Sequence, residues 1–160
     1  RTDCRIIFIL YGNICSLTTI VEKIKNRDKL AIVHADLVQG LSAKTEAIDY
    51  IKNNTKADGI LSTKGNLVKY AADIGLICIL RNFIIDSMAM ENVKKQVELA
   101  HPDIIEIMPG IMPEIIEKLK NEIKLPLIVG GLISDKKDVI AALSAGADAV
   151  STTKEELWNE

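Results

Sequence analysis

Two segments near the end of the chain have the residue types of a phosphate site. Gly130 and Gly131 follow the apolar run 126–129, and Ser151 and Thr152 end the next such run. Adjacent glycines let backbone N–H groups approach an anion, and the positive end of a following helix attracts negative charge. The serine and threonine add hydroxyl donors. Together the two segments predict phosphate binding, whereas the glycine pair alone would also fit a tight strand-to-helix turn.

Three charged side chains lie at or inside other apolar runs. Lys64 offers a point charge for a phosphate, or an amine for acid-base or Schiff-base chemistry. The guanidinium of Arg81 suits recognition of a phosphate or carboxylate. Glu106 interrupts the run 104–108, where an inward carboxylate needs a partner. The alternatives are a surface role for Lys64 and an ion pair of Arg81 with Glu106 or Asp86, while Glu106 could also bind hydroxyls or act as a general base.

His34 and Asp36 are two residues apart, so they share one face of a strand. If that face lines a pocket, Asp36 can accept hydrogen bonds from ligand hydroxyls. His34 would lie one layer lower, and we interpret it as a hydrogen-bonded core histidine. The sequence contains neither a His/Cys cluster with metal-ligand spacing nor a G-x-S-x-G nucleophile elbow. We therefore predict no metal site and no Ser-His-Asp triad.

These residues are positioned by a repeated alternation of strands and helices. Short aliphatic runs without apolar–polar alternation are typical of strands buried on both faces of a parallel sheet. Stretches with helical spacing of apolar residues separate them, for example Leu17, Val21 and Ile24. The predicted strands cover residues 6–10, 30–35, 59–62, 76–80, 104–108, 126–129 and 148–152.

Two α/β architectures fit this alternation: an open doubly wound sheet, and a compact TIM (β/α)₈-type barrel with its first β-α unit missing. No G-x-G-x-x-G turn follows the first run, which disfavours a dinucleotide-binding sheet. The polar residues singled out above fall at or just beyond the C-terminal ends of strands, where barrel enzymes place their sites. We therefore predict the barrel, as a single domain over residues 1–160 that is incomplete at its N-terminus.

The composition excludes several functional classes. The 160 residues are 48% hydrophobic and 26% charged, which is typical of a folded domain rather than a disordered chain. No apolar run approaches about 18 residues, so no membrane span is expected. A formal net charge of −2 argues against a nucleic-acid binder that relies on bulk electrostatics, although a local basic patch remains compatible with it. Three cysteines without metal spacing indicate reduced thiols in a cytoplasmic protein.

Motifs spread over nearly the whole chain carry a family resemblance. They are D-L-x-x-G-L from residue 36, S-T-K from 62, I-E-I-x-P-G-I-x-P from 105, G-G-L-I from 130 and A-V-S-T from 149. With these motifs the sequence resembles the glycerol-3-phosphate-responsive antiterminator family, whose members regulate glycerol-utilisation operons in bacteria. The resemblance implies a (β/α)₈ barrel that binds glycerol 3-phosphate and, once liganded, binds leader mRNA and prevents premature termination of transcription. The implied ligand residues are Asp36, Lys64, Arg81, Glu106, Pro109, Gly110, Gly130, Gly131, Ser151 and Thr152.

Two hypotheses for the function follow from the sequence. The first is a non-catalytic, cytoplasmic regulator with glycerol 3-phosphate as effector, no cofactor, leader mRNA as partner and no membrane partner; self-association is left open. The second is a barrel enzyme acting on a small phosphorylated polyol or sugar, with Lys64, Asp36 or Glu106 as acid or base. One departure from the family pattern is Leu80, which stands where a polar glutamine is expected.

Overall fold

The computed structural model describes residues 2–159 and shows strands and helices in strict alternation. The strands are β1 (Ile6–Ile9), β2 (Leu30–His34), β3 (Gly59–Ser62), β4 (Ile77–Phe83), β5 (Ile104–Met108), β6 (Leu127–Gly130) and β7 (Ala149–Ser151). The α-helices are α1 (Leu17–Lys25), α2 (Thr45–Asn54), α3 (Gly65–Asp73), α4 (Ser87–Ala100), α5 (Pro113–Glu122) and α6 (Lys136–Ser144), and a 3₁₀ helix covers Glu155–Leu157.

All strand pairings are parallel, and each strand pairs with the next along the chain, in the order β1 to β7. Within residues 2–159 no pairing joins β7 to β1. The sheet curls into a half-barrel of the TIM type, with one β-α unit fewer than eight. This confirms the predicted barrel architecture.

The curled sheet is apolar on both faces, which explains the unalternating sequence runs. Its concave face forms a lumen cluster of Ile32, Leu61, Ile79 and Ile128. Residues on the convex face, such as Val33, pack against the helices. The lumen is therefore sealed by aliphatic side chains below the polar ends of the strands.

One strand is longer than its predicted run. β4 continues to Phe83, so Arg81 lies inside the strand rather than after it. The register places Arg81 directly beside Glu106 of β5. Because these two side chains neutralise each other across adjacent strands, a strand that looks interrupted by a charge in sequence is continuous in the structure.

An aspartate clamp recurs three times at the N-terminal end of the sheet. In each case a carboxylate just before a strand accepts a hydrogen bond from the backbone amide of the preceding strand. The pairs are Asp58 with Ala31 at 2.8 Å, Asp103 with Cys78 at 2.9 Å and Asp148 with Leu127 at 2.8 Å. The clamps therefore tie β2 to β3, β4 to β5 and β6 to β7.

Candidate ligand-binding site

A buried polar cluster joins side chains of β4, β5 and β7 at the C-terminal end of the lumen and passes over Gly130 of β6. Arg81 Nε donates to Glu106 Oε2 at 2.6 Å, and Ser151 Oγ donates to Glu106 Oε1 at 2.6 Å. The Arg81 side chain is 8% exposed and the Glu106 side chain is fully buried. Glu106 therefore holds both neighbours in place. The terminal nitrogens of Arg81 have no hydrogen-bond partner among residues 2–159.

The glycines of the β5 and β6 loops are packed against this cluster. A Cβ atom on Gly130 would overlap Ser151 Oγ and lie 3.2 Å from Glu106 Oε1, so the cluster leaves no room for a side chain there. Gly110 is buried against the backbone of Gly130, and its amide donates to Gly131 O at 3.0 Å. Pro109 precedes Gly110 in the same loop, so three of the predicted segments meet at one place.

The loop after β6 has the backbone geometry of an anion-binding concavity. Gly131 and Leu132 have φ angles of +76° and +61°. The amides of Leu132 and Ile133 donate to no other group within the described part of the chain. Successive unpaired N–H groups at left-handed residues form concavities that bind anions. The predicted phosphate loop therefore has backbone donors to offer.

Asp36 joins β2 to the turn after β3. Its carboxylate accepts hydrogen bonds from Ser62 Oγ at 2.7 Å, the Thr63 amide at 2.9 Å and Thr63 Oγ1 at 3.0 Å. Partial burial acts to raise the pKa of Asp36, but these hydrogen bonds outweigh it and lower the pKa below its ordinary 3.8. The carboxylate is thus ionised and mostly occupied by protein donors, and its predicted contact with ligand hydroxyls stays a prediction.

Lys64 is held at the start of α3 by the same turn. Its amide donates to Ser62 Oγ at 3.0 Å, while its side chain is exposed. The Lys64 ammonium has no ion-pair or hydrogen-bond partner among residues 2–159. It is therefore available as a mobile point charge near the strand ends.

Thr152 is engaged locally. Its hydroxyl accepts a hydrogen bond from the Lys154 amide at 3.1 Å, and its carbonyl accepts one from Trp158 Nε1 at 2.9 Å. Ser151 already donates its hydroxyl proton to Glu106, whereas the O–H of Thr152 has no acceptor among residues 2–159. Their contact with a phosphate stays a prediction.

His34 is the residue whose surroundings the sequence did not reveal. It was interpreted as a hydrogen-bonded core histidine, but its Nδ1 has no hydrogen-bond partner among the described residues. The nearest carboxylate oxygen, Asp36 Oδ2, is 4.0 Å away. The core position of His34 is confirmed by its 4% exposure, while the carboxylate two residues on is directed to Ser62 and Thr63 rather than to the imidazole. In the sequence, the H-x-D spacing was the only indication that His34 and Asp36 lie on the same face of β2.

These groups together fit a small anion that carries hydroxyl groups. Arg81 and Lys64 supply positive charge, and the loop after β6 supplies backbone donors. Within residues 2–159 no group of three or more His, Cys, Asp and Glu side chains could hold a metal ion. Two clefts of about 400 and 420 Å³ lie elsewhere, on the outer surface between α4 and α5, and none of the predicted ligand residues lines them.

Comparisons with known proteins identify the family of this chain. The family model described as glycerol-3-phosphate responsive antiterminator matches residues 1–158. A protein of Escherichia coli (strain K12), described as uncharacterized protein YgcP, is 46% identical over 157 residues, which is 98% of this chain and 82% of that protein. No described helix is both long and apolar enough to cross a membrane.

Solved structures extend the match. The glycerol uptake operon antiterminator regulatory protein of Listeria monocytogenes is 35% identical with a TM-score of 0.93, covering 98% of this chain and 84% of that one. A related protein of Thermotoga maritima is 30% identical with a TM-score of 0.87, covering 96% and 87%. Barrels of 13–18% identity, among them an aldolase, share the fold alone at TM-scores of 0.59–0.65. This chain therefore belongs to the glycerol-3-phosphate responsive antiterminator family.

Proposed function

We propose that this protein is a ligand-responsive antiterminator that binds glycerol 3-phosphate at the C-terminal end of its barrel. In the liganded state it binds the leader mRNA of a glycerol operon and prevents termination of transcription, acting in the cytoplasm. Glycerol 3-phosphate is its effector, and the protein uses no cofactor. Family membership supports the regulatory role.

The observation that carries the ligand proposal is the unpartnered part of the polar cluster. Glu106 fixes Arg81 through Nε only, which leaves the terminal nitrogens of the guanidinium for an anion. Guanidinium groups bind phosphate through such paired N–H groups. The unpaired amides of Leu132 and Ile133 provide the kind of backbone donors that recur at phosphate sites after the seventh and eighth strands of barrels.

The two carboxylates are fixed in position by protein donors. Glu106 accepts hydrogen bonds from Arg81 and Ser151, and Asp36 accepts three from the turn after β3. Family membership favours a regulator. We therefore favour the regulator over a barrel enzyme acting on a phosphorylated polyol or sugar.

Three lysines beside the phosphate loops offer a surface for RNA. Lys136 and Lys137 begin α6, and Lys154 follows β7, so three lysines stand at the same end of the sheet as the phosphate loops. Phosphate contacts by a few lysines give RNA binding a moderate dependence on salt. We therefore place the RNA contact beside the ligand site.

Isothermal titration with glycerol 3-phosphate, glycerol and inorganic phosphate tests the ligand site. We expect glycerol 3-phosphate to bind, glycerol to bind far more weakly, and Lys64→Ala to lose about 1–3 kcal/mol of affinity because a charge-assisted bond is lost. Lys69→Ala, an exposed lysine of α3, is the matched control. We also expect Gly131→Val to weaken binding, since a β-branched residue cannot adopt its φ of +76° without strain.

The same samples distinguish the regulator from the enzyme. After prolonged incubation, glycerol 3-phosphate should be recovered unchanged and the leader RNA should bind more tightly in its presence. Steady turnover of the ligand would favour the enzyme, and equal affinities for glycerol and glycerol 3-phosphate would contradict the phosphate site.

A further inference from the structure

One buried side chain in the lumen lacks a partner. His34 shares its strand face with Ile32, a member of the lumen cluster, so its imidazole is directed into the lumen. The residue is 4% exposed. Nδ1 has no hydrogen-bond partner among residues 2–159, and at 4.0 Å from Asp36 Oδ2 it is beyond hydrogen-bond distance. Buried polar atoms are almost always paired, so an unpaired one needs an explanation.

The neighbouring carboxylates cannot provide the missing partner without losing their own. Asp36 is held by three donors from Ser62 and Thr63, and Glu106 is held by Arg81 and Ser151. Rotating either one toward His34 would unpair groups that are themselves buried. A bound water or a ligand can supply the missing partner.

The ionisation of His34 indicates which chemical group that partner has. Burial lowers the pKa of His34, and the positive charge of Arg81 lowers it further, against smaller opposing effects of Asp36 and of the backbone of His34 itself. A neutral imidazole presents one N–H donor and one lone pair, which suits a hydroxyl group. Arg81, in the same lumen, is suited to the charged part of the same molecule.

We propose that His34 is a specificity-determining residue of the ligand site, whose Nδ1 forms a hydrogen bond with a hydroxyl group of a polyol phosphate. This assignment rests on the proposed function. It adds the side chain that recognises the hydroxyl groups of the ligand, as distinct from the groups that bind its phosphate. It separates two tasks: Arg81 and the loop after β6 bind the anion, and His34 distinguishes polyol phosphates from alkyl phosphates of the same charge.

Titrations with ligands of equal charge test the assignment. Glycerol 3-phosphate is compared with 3-hydroxypropyl phosphate and 2-hydroxypropyl phosphate, each of which lacks one hydroxyl group. We expect the wild type to bind glycerol 3-phosphate at least about tenfold more tightly than one of the analogues, because the analogue leaves a buried polar atom unpaired. In His34→Leu, glycerol 3-phosphate should bind no more than about threefold more tightly than that analogue. The affinity for the analogue itself should be unchanged.

Two variants separate recognition from packing. Asparagine places an amide near the position of imidazole Nδ1, so His34→Asn should keep part of the discrimination that His34→Leu loses. His101→Gln is the control, since His101 is exposed at the opposite end of the sheet, before β5. A His34→Leu protein that binds with wild-type discrimination would overturn the assignment.

Nitrogen-15 spectra of the wild-type imidazoles decide the matter even if a variant fails to fold. The chain has two histidines, so the resonances are readily assigned. We expect the Nδ1 resonance of His34 to shift when glycerol 3-phosphate is added, while His101 does not respond. Binding without a shift at His34 would overturn the role of His34 alone, whereas no binding of glycerol 3-phosphate would overturn the proposed function and this assignment with it.

Discussion

Glu106 organises the candidate site because one of its oxygens accepts from Arg81 on the adjacent β4 and the other accepts from Ser151 on β7, across Gly130 of β6. The carboxylate is fully buried. Its burial is tolerated because Arg81 neutralises its charge and Ser151 donates a hydrogen bond to its second oxygen. The hydrogen bond between Ser151 and Glu106 also explains why residue 130 is a glycine, because a Cβ atom there would displace Ser151.

Removing the carboxylate of Glu106 should destabilise the fold. Glu106→Ala leaves the guanidinium of Arg81 buried without its partner, and we expect it to lower the free energy of unfolding by about 3–5 kcal/mol. Glu106→Gln retains an acceptor for Ser151 and should be milder. Urea unfolding followed by circular dichroism measures both. Equal stability of Glu106→Ala and the wild type would show that the pair contributes nothing.

His34 should make stability depend on pH. Burial, followed by the charge of Arg81, lowers its pKa from 6.5 in the folded state, so just below pH 6.5 the unfolded chain binds more protons than the folded one. The free energy of unfolding should therefore fall as pH drops from about 7.5 to 5.5. Urea unfolding at both pH values should show a smaller drop in His34→Leu than in the wild type or His101→Gln. The lowered pKa of Asp36 acts in the same direction only at more acidic pH, below about 3.8.

At the scale of the strands and helices, aliphatic runs predicted all seven strands, because a strand buried on both faces cannot tolerate alternation. The aliphatic runs placed the end of β4 too early. Arg81 can lie inside the strand only because it pairs with Glu106 when β4 and β5 lie side by side, and that pairing is not visible in the sequence. The partners of Asp36 and the isolation of His34 were equally hidden from the sequence. They depend on the direction of side chains across different strands, which residue type and spacing do not determine.

The aspartate clamps make a separate prediction. Asp58→Ala removes the acceptor of the buried Ala31 amide and the ion-pair partner of Lys25, and we expect a loss of about 1–3 kcal/mol in stability. Ligand affinity should not change, because Asp58 lies at the opposite end of the strands from the polar cluster. Asp73→Ala, an exposed aspartate at the end of α3, is the control. A matching loss of glycerol 3-phosphate affinity in Asp58→Ala would refute the separation of the two ends.

For the whole molecule, the two ends of the barrel have different tasks. The aspartate clamps lie at the N-terminal end. The charged and glycine-rich loops gather at the C-terminal end, as in other barrels. A ligand bound there contacts several β-α loops at once and can alter a surface that extends over all of them.

Linkage between ligand and RNA follows from that arrangement. If glycerol 3-phosphate favours the RNA-binding state by about 1–3 kcal/mol, each partner should bind roughly 5–150-fold more tightly in the presence of the other. Titrating leader RNA at several concentrations of ligand and salt measures the coupling. RNA affinity that does not respond to glycerol 3-phosphate would contradict regulation by this ligand.

The three clamps also bear on how the chain reaches its native state. Each joins residues only 27, 25 or 21 positions apart, so each closes a short loop. Short loops close at low entropic cost and form early in folding. Three nascent strand pairs can therefore assemble independently along the chain, before any contact spans the molecule. In pulse-labelled hydrogen exchange, the amides of Ala31, Cys78 and Leu127 should be among the first protected, ahead of the amide of Asp3, whose acceptor Asn159 is 156 positions away.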